Sequence, residues 1–164
     1  MPDCFSKIQR SRVMAAVKAR NTRPELTVRK LLHRLGYRFR LHRRDLPGSP
    51  DIVLPRFHKI INVHGCFWHM HHCRHGSIAP VQRADYWTAK RRRNVERDRR
   101  NDAKLRRRGW SVLTVWECQL RDPEKLQRRI RRFLEKRDAK AMIHPHTLSP
   151  RDPKTSPAPA SERR

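Results

Sequence analysis

"PDIVLPRFHKIINVHG", Pro50–Gly65, is the stretch on which the fold turns. Two short runs rich in β-branched residues stand on either side of a proline, which predicts a β-hairpin. Its parts are Asp51–Leu54, a turn around Pro55 and Arg56, and Lys59–Val63. Upstream, "YRFRLHRRDLPG" (37–48) reads as a first strand running into a turn, and downstream "GWSVLTVWECQL" (109–120) holds a buried strand, Trp110–Trp116.

Helices are expected around these strands. In "TRPELTVRKLLHRLGYRF" (22–39), Thr22 can cap, Pro24 sits in the first turn, and Glu25 completes a capping-box spacing. Leu26, Val28, Leu31, Leu32 and Leu35 give a helical stripe that Gly36 ends. The segment 84–107 is polar and free of Gly and Pro, with Trp87, Val95 and Leu105 as sparse anchors, so it forms one long basic helix or two short ones. "PEKLQRRIRRFLEKR" (123–137) is amphipathic, with Leu126, Ile130, Phe133 and Leu134 inward. A basic helix is also expected from Ser6, and the Pro/Ser-rich residues 138–164 read as a disordered tail. The expected organisation is a DNA-contacting N-terminal helix (1–20), a mixed α/β domain (21–137) with helices flanking one sheet, and the tail.

The 164 residues carry 41 Lys and Arg against 15 Asp and Glu, a net charge of +26. Such a charge repels itself in a compact chain and calls for an anionic partner, with nucleic acid first, because neutralising phosphates releases counterions. The N-terminus lacks an apolar signal-peptide core and no run reaches membrane-spanning length, so a cytoplasmic protein is expected. There, cysteines beside histidines read as metal ligands before disulfides. Cys4 has no assigned role beyond a surface thiol.

Three constellations carry chemistry. "NVHGCFWHMHHC" (62–73) holds Cys66 and Cys73 with histidines between them. Tetrahedral zinc needs four such donors, and the loop supplies three at most. Cys118, just past the last strand, is the best fourth ligand, and His71 suits the site better than His69. Asp51 stands where a turn enters a strand; it either caps that turn or holds a hard cation such as Mg²⁺. Across the hairpin, Val63 could offer a carbonyl and His64 an imidazole to the same ion. Histidine ordinarily titrates near neutrality, so His64 and His69 are candidates for proton transfer, with Glu25 able to orient one of them. Phe67 and Trp68 either wedge between nucleic-acid bases or close the small core around the metal.

Taken together, "PGSPDIVL", "HGCFWHMHHC", "NVERDRR" and "GWSVLTVWECQL" resemble the very short patch repair endonucleases of bacteria, from about Ser6 to Leu120. That resemblance implies a restriction-endonuclease-like fold and Mg²⁺-dependent nicking of double-stranded DNA 5′ of the thymine in T:G mismatches. Such mismatches arise when 5-methylcytosine deaminates, so a cytosine-5 methyltransferase is an expected companion. It further implies Mg²⁺ on Asp51 and the Val63 carbonyl, His69 as general base, Glu25 orienting it and His64 assisting at the phosphate. Structural zinc would sit on Cys66, His71, Cys73 and Cys118. Phe67, Trp68 and Trp87 would enter the DNA beside the mismatch, Met14 and Val17 would press in from the minor groove, and Lys90 and Asn94 would contact the mismatched region. A monomer acting at the nucleoid, with mismatch-repair and repair-polymerase proteins as candidate partners, completes the expectation. Val63 departs from the family in lacking a hydroxyl, and Met70 interrupts the histidine run. The rival is a zinc-stabilised nucleic-acid-binding module without catalysis.

Overall fold

The computed structural model describes residues 20–79, 81 and 83–136. The N-terminal helix with Met14 and Val17, Cys4, and the 138–164 tail lie outside the described residues. Helix α1 (Arg23–Arg34) leads into β1 (Arg40–Leu41), β2 (Ile52–Leu54) and β3 (Lys59–His64). The long helix α2 (Ala84–Arg107) then crosses to β4 (Ser111–Trp116), and α3 (Pro123–Glu135) follows. The strands form one mixed sheet in the order β1-β2-β3-β4, with β1/β2 and β2/β3 antiparallel and β3/β4 parallel.

The expected hairpin is present, with Ile52 opposite Ile61 and a 3₁₀ turn at Pro55–Phe57 closed by His58 in the left-handed region. Both faces of the sheet are covered. Alternate residues Ile52, Leu54, Ile61, Val63 and Val115 pack against Val28, Leu31 and Leu32 of α1 and Leu126, Ile130 and Leu134 of α3. On the other face Val53 and Ile60 meet Leu46 and Leu105, the latter from the C-terminal end of α2. Burial from both sides explains why β2 reads as an unbroken apolar triplet rather than an alternating one. At about 25 cal/mol per Å² of buried apolar surface, each of these wholly buried Ile, Leu and Val side chains contributes on the order of 1.5–3 kcal/mol.

Local signals set the ends of α1 and α3. The Thr22 hydroxyl caps α1 by accepting from Glu25 N–H, and Asp122 accepts from Lys125 N–H to start α3. The far end of α3 is held by Lys59, which is buried and donates through Nζ to the carbonyls of Phe133, Leu134 and Lys136. A cation at a helix C-terminus satisfies carbonyls that have no partner within the helix. The strand expected over 37–48 shrinks to Arg40–Leu41, because charged side chains crowd this edge and only two residues pair with β2.

Candidate active site

Asp51 sits where β2 begins and completes the ladder with its side chain. Its Oδ2 accepts the Val63 N–H at 2.8 Å. In an antiparallel ladder the N–H and C=O of one residue face the same neighbour, so the Val63 carbonyl is directed to the Asp51 side of β3 as well. Burial above all, with the charge of Glu25 added, pushes the Asp51 carboxyl up from 3.8 to about 6, against the pull of the Val63 N–H, Arg29 and His69.

The next residue, His64, carries the site towards α2. Its ring stacks on His69 with centroids 4.0 Å apart and planes 10° from parallel. His69 Nδ1 meets Asp98 Oδ2 at 2.5 Å. Burial, with the charge of His69, lowers His64 to about 4, so this imidazole is neutral at physiological pH. Burial alone would lift Asp98, but the hydrogen bond and charge of His69 outweigh it and hold the carboxyl below its usual range. Asp98 is thereby an acceptor, which places the His69 proton on Nδ1 and leaves the Nε2 lone pair available.

Glu25, expected to orient His69, is engaged elsewhere. Its Oε2 accepts from Asn21 N–H at 3.0 Å and from Arg29 at 2.8 Å, and its Oε1 accepts the Thr22 hydroxyl at 2.9 Å. The imidazole near it is His42, whose Nε2 lies 3.9 Å from Glu25 Oε2. Donor atoms of Glu25, His42 and Asp51 all lie within 4.8 Å of one another, as do those of His64, His69 and Asp98.

The third gathering is Cys66, His71, Cys73 and Cys118, again within 4.8 Å. Strand register explains it. His64 pairs with Trp116 across the parallel β3/β4 ladder, so Cys66 and Cys118, each two residues past that pair, emerge side by side. Tight turns then fold the loop back, His69 N–H onto the Gly65 carbonyl and His71 N–H onto the Cys66 carbonyl. The His71 ring lies on Trp116 at 4.3 Å, with Nδ1 3.6 Å from the Cys118 sulfur. Tetrahedral zinc holds such donors about 3.3–3.8 Å apart, so the set fits. Burial pushes the Cys66 thiol up to about 12, whereas the His71 contact draws Cys73 down to about 6. A dication held among them would reconcile that conflict by favouring thiolate throughout.

Gly76 closes the same loop at a point without room for a side chain, since a Cβ there would stand 1.9 Å from the His71 carbonyl oxygen. Gly76→Ala is expected to cost about 1–3 kcal/mol or more by forcing backbone apart. If the four donors hold zinc, the variant should also release it to a competing chelator faster than wild type, a rate readable with a colorimetric zinc indicator.

Beside this loop, aromatic rings form a half-buried cluster. Phe67 meets Trp68 edge-on at 5.1 Å, and Trp68 meets Trp87 at 5.9 Å. Lys90 Nζ lies over both indoles, at 5.8 and 5.3 Å, and the Asn94 amide donates to the Trp68 carbonyl at 3.3 Å. The five described residues expected at a mismatch thus share one surface.

A family model described as DNA mismatch endonuclease Vsr matches residues 2–75. The Type II nicking enzyme V.XorIIP of Xanthomonas oryzae pv. oryzae is 50% identical over 135 residues, 82% of this chain and 98% of that protein. The chain belongs to the Vsr family. The DNA mismatch endonuclease Vsr of Escherichia coli K12 is 44% identical over 77% of this chain and 80% of its own. V.NmeAIP of Neisseria meningitidis is 39% identical over 82% and 95%. The catalytic domain of the homing endonuclease I-Bth0305I aligns with TM-score 0.46 at 21% identity, covering 69% of this chain and 94% of that one.

As a Vsr-family chain this is a DNA endonuclease, and two features of its site escape the hydrophobic pattern. Asp98 lies 29 residues from His69, and only the crossing of α2 over the loop joins them. Arg91 is buried and anchors that loop to α2. It donates to the carbonyls of Phe67 at 2.7 Å, Ile78 at 3.0 Å and Gly76, with its guanidinium 4.5 Å from the Phe67 ring centroid. A signal was present. Trp87, Arg91, Asn94, Asp98, Asp102 and Leu105 recur at spacings of three and four along α2, a stripe facing the loop and sheet. Because most of its members are polar, a search for apolar periodicity passes over it.

Proposed function

We propose that this protein nicks double-stranded DNA 5′ of the thymine in T:G mismatches, on a restriction-endonuclease-like fold, with Mg²⁺ on Asp51 and the Val63 carbonyl and zinc on Cys66, His71, Cys73 and Cys118. The observation that carries this reading is the unbroken chain of contacts Asp51–Val63–His64–His69–Asp98. Those oxygen donors suit a hard cation. When bound, Mg²⁺ supplies charge at the scissile phosphate and lowers the pKa of water.

The residues divide the remaining work. Asp98 fixes the tautomer of His69, so that Nε2 receives the proton of the attacking water, a contribution of about 10²–10⁴ in rate. His64, neutral and stacked on His69, offers a polar ring edge at the phosphate without repelling its positively charged neighbour once that has formed. Val63 needs no hydroxyl here, because its part is played by the backbone. Phe67, Trp68 and Trp87 form the wedge. A T:G pair is already weakened, so unstacking it costs less, by a few kcal/mol at most, than unstacking a matched step. Lys90 and Asn94 stand against the wedge, where the opened pair would lie.

Purified protein with Mg²⁺ and end-labelled duplexes tests this. Nicking of the T strand 5′ of the mismatched thymine is expected in the T:G duplex, with T:A and C:G controls cut far more slowly. Equal nicking of all three would leave a nuclease without mismatch selectivity, and no nicking of any would favour the binding-module rival. The proton and Mg²⁺ compete for Asp51, so the Mg²⁺ concentration giving half-maximal nicking is expected to rise about tenfold for each pH unit below 6.

A further inference from the structure

Arg91 stands beside the Phe67, Trp68 and Trp87 cluster at 4% exposure, and among the described residues no carboxylate pairs with it. Its donors go to backbone instead. Nε reaches the Phe67 carbonyl at 2.7 Å, one terminal nitrogen the Ile78 carbonyl at 3.0 Å, and the other the Gly76 carbonyl. One guanidinium therefore joins both limbs of the loop, Phe67 on the outgoing side and Gly76 and Ile78 on the returning side. It also covers a face of the Phe67 ring, 4.5 Å from the centroid, so this aromatic is held through its carbonyl and its π face together. Asn94, three residues further along α2, donates to the next carbonyl, that of Trp68, at 3.3 Å. A buried charge is costly, and burial lowers the Arg91 pKa. What the planar fork adds over an apolar contact is a fixed spacing among three carbonyls.

We infer that Arg91 is the positioning residue of DNA opening, holding Phe67 and Trp68 in their inserting arrangement before the duplex arrives. This role rests on the proposed mismatch function and deepens it. A wedge fixed in advance loses little freedom on insertion, so more of its contact energy is available to unstack the base step. A loose wedge must be ordered by the same contacts, and the opened complex becomes rarer. The chemical step keeps its immediate partners, because His69 is held by Asp98 and His64 rather than by Arg91. An ordinary structural tie makes a different prediction: its loss would slow nicking of every duplex alike, open or closed.

Single-turnover nicking by the full-length protein, at saturating protein and Mg²⁺, separates the two. One duplex carries a lone T:G pair; the other carries the same pair between two further mismatches, so that its steps are already unstacked. Arg91→Met is expected to nick the first about 10²-fold more slowly than wild type, the loss that a misplacement of about 1 Å can cause. On the second it should come within a few-fold of wild type. Arg91→Gln, which keeps an amide donor for one carbonyl, should show the same contrast in milder form, and melting curves identify the folded variants. A second measurement needs no substitution. In DNA-free wild type the His69 and His71 amides, bonded to the Gly65 and Cys66 carbonyls, should be protected from hydrogen exchange. Unprotected amides there, equal slowing on both duplexes, or no slowing on the lone T:G pair overturns the inference while leaving the mismatch reading standing. Wild type that nicks T:G and T:A duplexes equally, or neither, overturns both.

Discussion

Asp51→Asn is expected to nick a T:G duplex at least about 10³-fold more slowly than wild type, because a metal-held phosphate supplies several kcal/mol of the barrier reduction and each 1.36 kcal/mol is tenfold. DNA affinity should stay within a few-fold, since it is carried by a net charge of +26 and the counterions this charge displaces. The same variant should be the more stable protein when metal is absent. Asp51 has a folded pKa of about 6, above its ordinary 3.8, so between these values the folded chain holds a proton that the unfolded chain releases. Stability therefore falls as pH rises through that window, and above it the buried carboxylate costs on the order of 3 kcal/mol. Asparagine carries no charge, and its side-chain oxygen can still accept from Val63 N–H. In urea titrations at pH 8 without divalent ions the variant should have the higher midpoint. The gap should vanish below pH 4 and narrow when Mg²⁺ is added. A variant that loses DNA binding along with nicking would deny Asp51 a specifically catalytic part.

The hairpin, the Thr22 cap, β4 and the inward face of α3 were legible because each is fixed by neighbours in sequence: apolar period, a hydroxyl three residues before an acid, a terminal glycine. The meeting of Cys118 with the loop cysteines is legible for a topological reason, since a residue two beyond a strand meets a loop two residues beyond the adjacent parallel strand. The edge strand β1 is shorter than its pattern suggests, because alternation in "YRFRL" resembles a strand although only Arg40–Leu41 pair with β2. Apolar content alone does not decide the continuity of α2; the polar stripe from Arg91 to Asp102, whose contacts run to the loop and β3, does. Glu25 stands nearer to His42 than its sequence position suggests. Its capping-box spacing with Thr22 was sound, but the choice between His42 and His69 depends on where the chain returns after β1. Nothing local encodes that return.

Zinc removal should affect the molecule unevenly. Structural zinc in small peptides has apparent binding free energies of about 10–16 kcal/mol, as large as the whole stability of many domains. Here the ligands lie at one end of a sheet whose core does not include them apart from Cys66, so β2, β3 and α3 should retain amide protection while the 65–79 loop loses it. The consequence for activity is severe. His69 lies between Cys66 and His71 on the chain, and Phe67 and Trp68 lie between Cys66 and His69, so the proposed base and wedge are both strung across the proposed zinc site. Cys118→Ser is expected to lower the melting temperature by about 10 °C or more, to weaken zinc retention against a chelator, and to reduce nicking to background. Arg91 keeps three loop carbonyls tied to α2 without zinc, so the loop should remain attached at its rim while its centre disorders. Hydrogen exchange resolved by peptide separates this from global unfolding, because loss of protection in β3 at the same rate as in the loop would show that the metal holds the sheet itself. If zinc-free protein instead kept wild-type nicking and a wild-type melting temperature, the four donors would be a cluster without a structural ion, and the position of His69 would have to be set by Asp98 and His64 alone.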